Sequence, residues 1–177
     1  MNNGARATRR GFTLVEMAMV VALIGILAVA VLPALATVSD ARRNAAWREV
    51  ERRLVVARMM ATSTGRAFGV RVTPGVGTLE LLEFPAAGGA PVPAHDPLGR
   101  SAGAWSLPGA FAGTNITLFV GGDGASGPGV VWFGYDGAPQ RRNSSGTLLG
   151  GFAQDAVVTL TGGLTVTVRK SSGLVER

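Results

Sequence analysis

Residues 12–32 form a run of 21 residues whose only polar side chains are Thr13 and Glu16. At 1.5 Å per residue, a helix of that length is roughly 30 Å long, the thickness of a bilayer's hydrocarbon core. A helix that is apolar all round must be covered by lipid or by other protein, so this run limits what the rest of the chain can do. Arg6, Arg9 and Arg10 precede it, and no acid does. Cations on the short flank hold that end in the cytoplasm. The expected topology is therefore single-pass in the inner membrane, with a cytoplasmic N-terminus and the remainder in the periplasm. A secretory signal peptide has the same basic start, and Ala28, Ala30, Ala34 and Ala36 could mimic its small-residue cleavage site. Glu16 inside the run, and the smooth passage into a further helical pattern, argue against that reading.

Glu16 is the sharpest single residue. A carboxylate inside a membrane span costs a few kcal/mol unless it is paired, so such residues are usually functional. The competing reading is a carboxylate solvated at headgroup level.

Beyond the run, Pro33 is expected to kink the helix, because a proline removes one backbone hydrogen bond. The pattern then resumes. Trp47, Val50, Leu54, Ala57 and Ala61 recur at spacings of three and four, an amphipathic stripe. Six arginines between Arg42 and Arg58 fill much of the opposite face. They read as the solvated side of a helix packed on its own head, in preference to a nucleic-acid-binding helix. Val55, Val56 and Met59 lie off the stripe, where a neighbouring subunit could meet them. Thr62, Ser63, Thr64 and Gly65 make a stop signal, with Gly65 as C-terminal cap. The expected divisions are 1–11 as a basic leader, 12–36 as a membrane half-helix, 37–65 as an amphipathic half-helix and 66–177 as a β-rich head.

In the head, short β-rich runs at 68–72, 79–84, 116–120, 130–133, 156–160 and 164–168 stand between Gly/Pro turns. There is no βαβ alternation, so a doubly wound parallel sheet is not expected. Residues 85–113 show no period and read as a loop or irregular insertion. The last two runs form a hairpin whose register can be argued. A two-residue loop at Gly162-Gly163 would pair Leu160 with Thr165. A three-residue loop starting at Thr161 pairs Leu160 with Leu164, Val158 with Val166 and Ala156 with Val168. The second choice puts these apolar residues on one face and Thr159, Thr165 and Thr167 on the other, and a one-residue slip would reverse it.

The inventory for chemistry is thin. The chain has no Cys and one His, which excludes a disulfide framework, a thiol nucleophile and Cys- or His-rich metal sites. His95 and Asp96 are adjacent, so they cannot orient one another as in a catalytic triad, and no G-x-S-x-G elbow is present. The Gly-rich loop 121–127 carries one carboxylate, Asp123, where calcium needs several oxygens, and it lacks a P-loop lysine. Arg141-Arg142 and Arg169-Lys170 read as solvated basic pairs on turns. No catalytic residue, metal or cofactor is expected, and an anchored enzyme is a remote reading.

The segment Arg9-Arg10-Gly11-Phe12-Thr13-Leu14-Val15-Glu16-Met17 resembles the class III signal of type IV pilins and type II secretion pseudopilins. The resemblance implies that a prepilin peptidase cuts after Gly11 and N-methylates Phe12. It also implies that Glu16 serves assembly, where its carboxylate can meet the Phe12 ammonium of a neighbour so that neither charge stands alone in lipid. The cut would remove Arg6, Arg9 and Arg10, half of the formal excess of six positive charges. That half of the basic excess then serves topology and is not a nucleic-acid footprint.

The stretch Val131-Trp132-Phe133-Gly134-Tyr135-Asp136-Gly137-Ala138-Pro139, with the terminal hairpin, resembles the GspH/FimT branch of that superfamily. The branch implies an α+β fold, a long N-terminal helix packed on an antiparallel β-sandwich head. It also implies a non-enzymatic minor pseudopilin of a type II secretion system. Its partners would be other pilin-like subunits, the peptidase and the inner-membrane assembly platform. The runner-up is a FimT-like minor pilin acting in pilus assembly or DNA uptake. DNA-binding members resemble one another in a C-terminal Gly-Arg-x-Arg pattern. At the matching place here, Gly173-Leu174-Val175-Glu176-Arg177, Leu174 replaces the first Arg and Glu176 adds a repelling charge, which disfavours DNA as a partner.

Overall fold

The computed structural model describes residues 12–85, 89–95 and 103–177; the side chains of 30–36 also lie outside the description. The chain divides into two compact units, Met1–Ser39 and Asp40–Arg177. One helix, α1 (Leu14–Thr64), contributes to both. The backbone is helical through Pro33, where a kink is expected, and the leader up to Gly11 falls outside the described residues.

In the first unit every described side chain from Phe12 to Val29 is exposed, including Leu14, Leu23 and Ile26. Among the described residues, no helix is long and apolar enough to cross a membrane. The expected span of 12–32 runs past Val29 into side chains that are not described.

In the second unit α1 becomes one wall of a core. Ala46, Val50, Leu54, Ala57 and Ala61 are fully buried. They belong to one apolar cluster with residues of both sheets, and Trp47 packs half-buried against it. The stripe read from the sequence is therefore right except at its start, where Ala46 takes the inward position. The helix ends as its sequence suggests. Gly65 adopts φ +69° and its N–H reaches the Ala61 carbonyl at 3.1 Å, the single-bond left-handed cap.

The head carries β1 (Phe68–Thr73), β2 (Thr78–Glu83), β3 (Val92–Pro93), β4 (Trp105–Ser106), α2 (Leu107–Ala110), β5 (Ile116–Val120), β6 (Gly129–Phe133), β7 (Pro139–Arg142), β8 (Leu148–Gly151), β9 (Ala156–Leu160), β10 (Thr165–Val168) and β11 (Val175–Glu176). Among the described residues they form two antiparallel sheets, ordered β3-β2-β1-β6-β7-β8, with β4 also on β2, and β11-β10-β9-β5. Val70, Val72, Val131 and Phe133 from the first sheet and Phe119, Val158, Leu160 and Val166 from the second fill the shared core.

The terminal hairpin has the three-residue loop. Val166 pairs with Val158 and Val168 with Ala156, and the Leu160 N–H donates to the Leu164 carbonyl at 2.8 Å. Ala156, Val158, Leu160, Val166 and Val168 are buried. Two expectations need correction. Residues 85–113 are not merely a loop, since β3, β4 and α2 lie there and Ala94 and Leu107 are fully buried. Arg141-Arg142 sit on strand β7, not on a turn. Both were hidden for the same reason: strands of two to four residues, one opening with Pro and ending in two cations, carry no readable period.

Candidate assembly site

At the N-terminal end, Thr13 and Glu16 close on one another. The Thr13 N–H and hydroxyl donate to Glu16 Oε2 at 2.8 and 2.9 Å, and the Glu16 N–H donates back to Thr13 Oγ1 at 3.2 Å. The Thr13 carbonyl accepts from the Met17 N–H at 3.1 Å. This is a capping box, in which a hydroxyl residue and a carboxylate three positions on satisfy each other's amides. An unpaired amide at an apolar helix end costs free energy, so Glu16 stabilises the start of α1 within its own chain. The T-x-x-E spacing was legible in the sequence, but reading Glu16 only as a membrane carboxylate missed it. Next to this cap Phe12 is 79% exposed. The site therefore joins an exposed Phe12, a carboxylate four residues further on in the first turn, and a long uncovered apolar surface. It has the parts for packing against other helices.

The head is tied to the second half of α1 by polar contacts that sequence reading did not anticipate. Trp47 Nε1 donates to the Thr165 carbonyl at 2.8 Å, and the Arg177 guanidinium lies 5.3 Å from the Trp47 ring centre. Arg58 donates to the Gly137 carbonyl at 3.2 Å and to the Ser172 carbonyl at 3.1 Å. The Gly134–Ala138 turn is closed by its own backbone and by Asp136, which accepts the Ala138 N–H at 3.0 Å. Gly173, at φ +64°, packs so closely on the Gly137 carbonyl that a Cβ could not fit. The motif at 131–139 and the C-terminal turn thus meet at one helix arginine.

The other residues singled out by sequence are dispersed. His95 is exposed and its Nδ1 lies 3.5 Å from Glu83 Oε1; Asp96 falls outside the described residues. Asp123 Oδ1 accepts the Ala125 N–H at 3.0 Å, which folds its loop into a closed turn. Among the described residues no group of three or more His, Cys, Asp or Glu could hold a metal ion. Arg169 pairs with Asp155 at 2.9 Å and with Glu176 at 2.7 Å. The Lys170 N–H and the Arg169 guanidinium hold the Asp155 carboxyl below the usual carboxylate range. On α1, the Arg52 guanidinium does the same for Glu49, which also binds Arg53.

A family model described as the prokaryotic N-terminal methylation motif matches residues 6–32. Among solved structures, the chain is similar to the minor pseudopilin EpsH from the Type 2 Secretion System of Vibrio cholerae. The TM-score is 0.52 at 17% identity, covering 76% of this chain and 94% of that one. The chain has a type IV pilin-like, pseudopilin fold. No curated protein matches it. Within this pilin-like fold the capping box falls inside the segment matched by the methylation motif, and the Arg58 contacts fasten the β-head to the helix that follows.

Proposed function

We propose that this pilin-like chain is a minor pseudopilin subunit of a type II secretion system, a non-enzymatic part of the periplasmic pseudopilus that drives protein export. The carrying observation is the joint presence of the methylation motif at residues 6–32 and the pseudopilin fold. In this reading prepilin peptidase cuts after Gly11 and methylates Phe12. The apolar half of α1 anchors the subunit in the inner membrane with the head in the periplasm, and the assembly platform extracts it into the filament. There the exposed apolar side chains pack against helices of other pilin-like subunits. Glu16, already oriented by Thr13, receives the Phe12 ammonium of a neighbour. Pro33 supplies the bend.

The capping box makes the assembly role separable by experiment. Glu16→Gln keeps a side chain able to cap and removes the charge, whereas Glu16→Ala removes both. In a host carrying the complete system, we expect both variants to insert in the membrane and both to lose crosslinking to other pilin-like subunits. Full crosslinking by Glu16→Gln would mean that the cap, and not the charge, is what assembly needs.

The FimT-like alternative predicts DNA binding by clustered, unpaired cations. Arg169 is already neutralised by Asp155 and Glu176, which removes it from such a cluster and leaves Arg141 and Arg142 as the adjacent cations without an ion pair among the described residues. A gel shift at about 150 mM salt, where screening acts beyond about 8 Å, should show weak binding. Tight binding that Arg169→Ala/Lys170→Ala abolishes would favour the alternative.

A further inference from the structure

An open groove of about 570 Å³ lies on the head, floored by Phe119, Trp132 and Phe152 and edged by Leu149, Arg141 and Arg142. Its wall ends at β8, the terminal strand of the larger sheet among the described residues. A free strand edge is normally protected by a Lys, a Pro or an inward charge. Leu148–Gly151 carries no Lys, Pro or charge; its only safeguards are its shortness and a register shift against β7, and Leu148 and Leu149 are 52% and 58% exposed.

The cations beside this edge lack counter-charges. Arg142 donates to Gln140 Oε1 at 2.8 Å and to the Gly146 carbonyl at 2.7 Å, and stacks 5.5 Å from the Phe84 ring centre. Arg141 donates to the Gly151 carbonyl at 3.0 Å. All of these acceptors are neutral, and among the described residues neither arginine has an ion-pair partner; Asp123 also lines the groove but is not within ion-pair distance of either. Burial pushes the Arg142 guanidinium down from its ordinary value, the mark of a cation short of compensation.

The head's own acids are committed elsewhere. Glu80 binds Arg71, Glu83 binds Arg66, Asp155 and Glu176 bind Arg169, and Asp123 and Asp136 cap their own turns. Among the described residues Glu80, Glu83, Asp155 and Glu176 are thus paired, and Asp123 and Asp136 sit in tight closed turns, so a second copy of this head presents no extended acidic strand; the occupant is taken to be a segment of a different protein.

We propose that this groove receives an extended acidic segment of another protein, added as a strand along β8, with a carboxylate on Arg141 and Arg142 and an apolar side chain on Leu149. Main-chain hydrogen bonds would supply affinity, and the alternating side chains would supply selectivity. The proposal stands on the head alone and does not depend on the secretion reading.

The test uses the full chain in detergent micelles and fluorescence anisotropy above that of protein-free micelles. The probes are a labelled, end-blocked peptide alternating glutamate with valine and threonine, the same peptide with lysine for glutamate, and a short labelled DNA duplex. The glutamate peptide should bind and the lysine peptide should not. Arg141→Gln, Arg142→Gln and Leu149→Lys should each weaken binding by about tenfold or more, the scale of losing a charged hydrogen bond. Arg142→Lys should restore part of it. Arg141 and Leu149 lie at the surface, so their variants keep the test valid if Arg142→Gln melts early. Equal binding of the two peptides, wild-type binding by Arg141→Gln and Leu149→Lys, or duplex DNA binding that Leu149→Lys leaves intact would each overturn the proposal.

Discussion

The two halves of α1 make opposite use of the same kind of residue. From Leu14 to Val29 the helix is apolar and every described side chain is exposed. From Ala46 to Ala61 five apolar residues, Ala46, Val50, Leu54, Ala57 and Ala61, form a stripe that is fully buried against the chain's own sheets. The difference lies in periodicity. A residue set that recurs every three or four positions can be buried by one partner surface, whereas a helix apolar on all sides needs a surrounding medium. The head therefore folds on its own contacts, and the first half-helix has its stability decided by what surrounds it.

That contrast can be broken or sharpened experimentally. The largest effect is expected at Gly11→Val, which should leave the chain entirely uncut; intact mass of membrane-extracted protein would retain residues 1–11. Wild-type protein should lose them and gain one methyl group, and a mature start near Ala36 would instead mean an ordinary secreted protein.

Next comes a matched pair of substitutions. Leu54→Ala opens a cavity in the head core and should cost about 2–5 kcal/mol. Leu23→Ala, on the uncovered half, should leave the melting of the head unchanged. Equal effects would show that the two halves share one cooperative unit. Smaller again is Trp47→Ala, in a fragment beginning at Thr37 that should be soluble and mainly β by circular dichroism. Full burial would predict about 3–5 kcal/mol. Trp47 is half-buried and gives up one hydrogen bond, so about 2 kcal/mol is expected, and a wild-type Tm would refute the packing.

The smallest effect concerns pH. Asp155 and Glu49 are held below the usual carboxylate range by their hydrogen-bonding partners. Their contribution is complete above the unfolded value near pH 4 and is lost as pH falls through the lower folded value. Thermal melts of the head should be flat above about pH 5 and decline below about pH 4, with Asp155→Asn shallower there. Both groups are only partly buried and their pairs are screened by solvent, so the slope will be gentle.

Much of this was legible in the sequence wherever a period ran long enough. The helix stripe, its Gly65 stop and the register of the last hairpin follow from apolar spacing and from a loop that needs two positive-φ glycines, Gly162 and Gly163. What stayed hidden had no local signal. Strands β3, β4, β7, β8 and β11 exist because a neighbouring strand pairs with them, and their residues show no alternation. At the candidate site, Phe12 and Glu16 stood out by type and spacing. Thr13 escaped notice because its partner was read as facing other molecules, not its own helix. The contacts of Arg58 with Gly137 and Ser172 join positions about 80 and 114 residues apart, and no sequence window spans that.

The join after Gly65 has a mechanical meaning. Only Gly65, Arg66 and Ala67 separate the end of α1 from β1, and β1 is an interior strand with β2 on one side and β6 on the other. A pull along the helix that slips its buried stripe next loads a strand held by two ladders at once. Such a strand resists by sharing the force across both sets of hydrogen bonds, where an edge strand would peel away one bond at a time. Traction on the helix is thus delivered to the interior of the larger sheet.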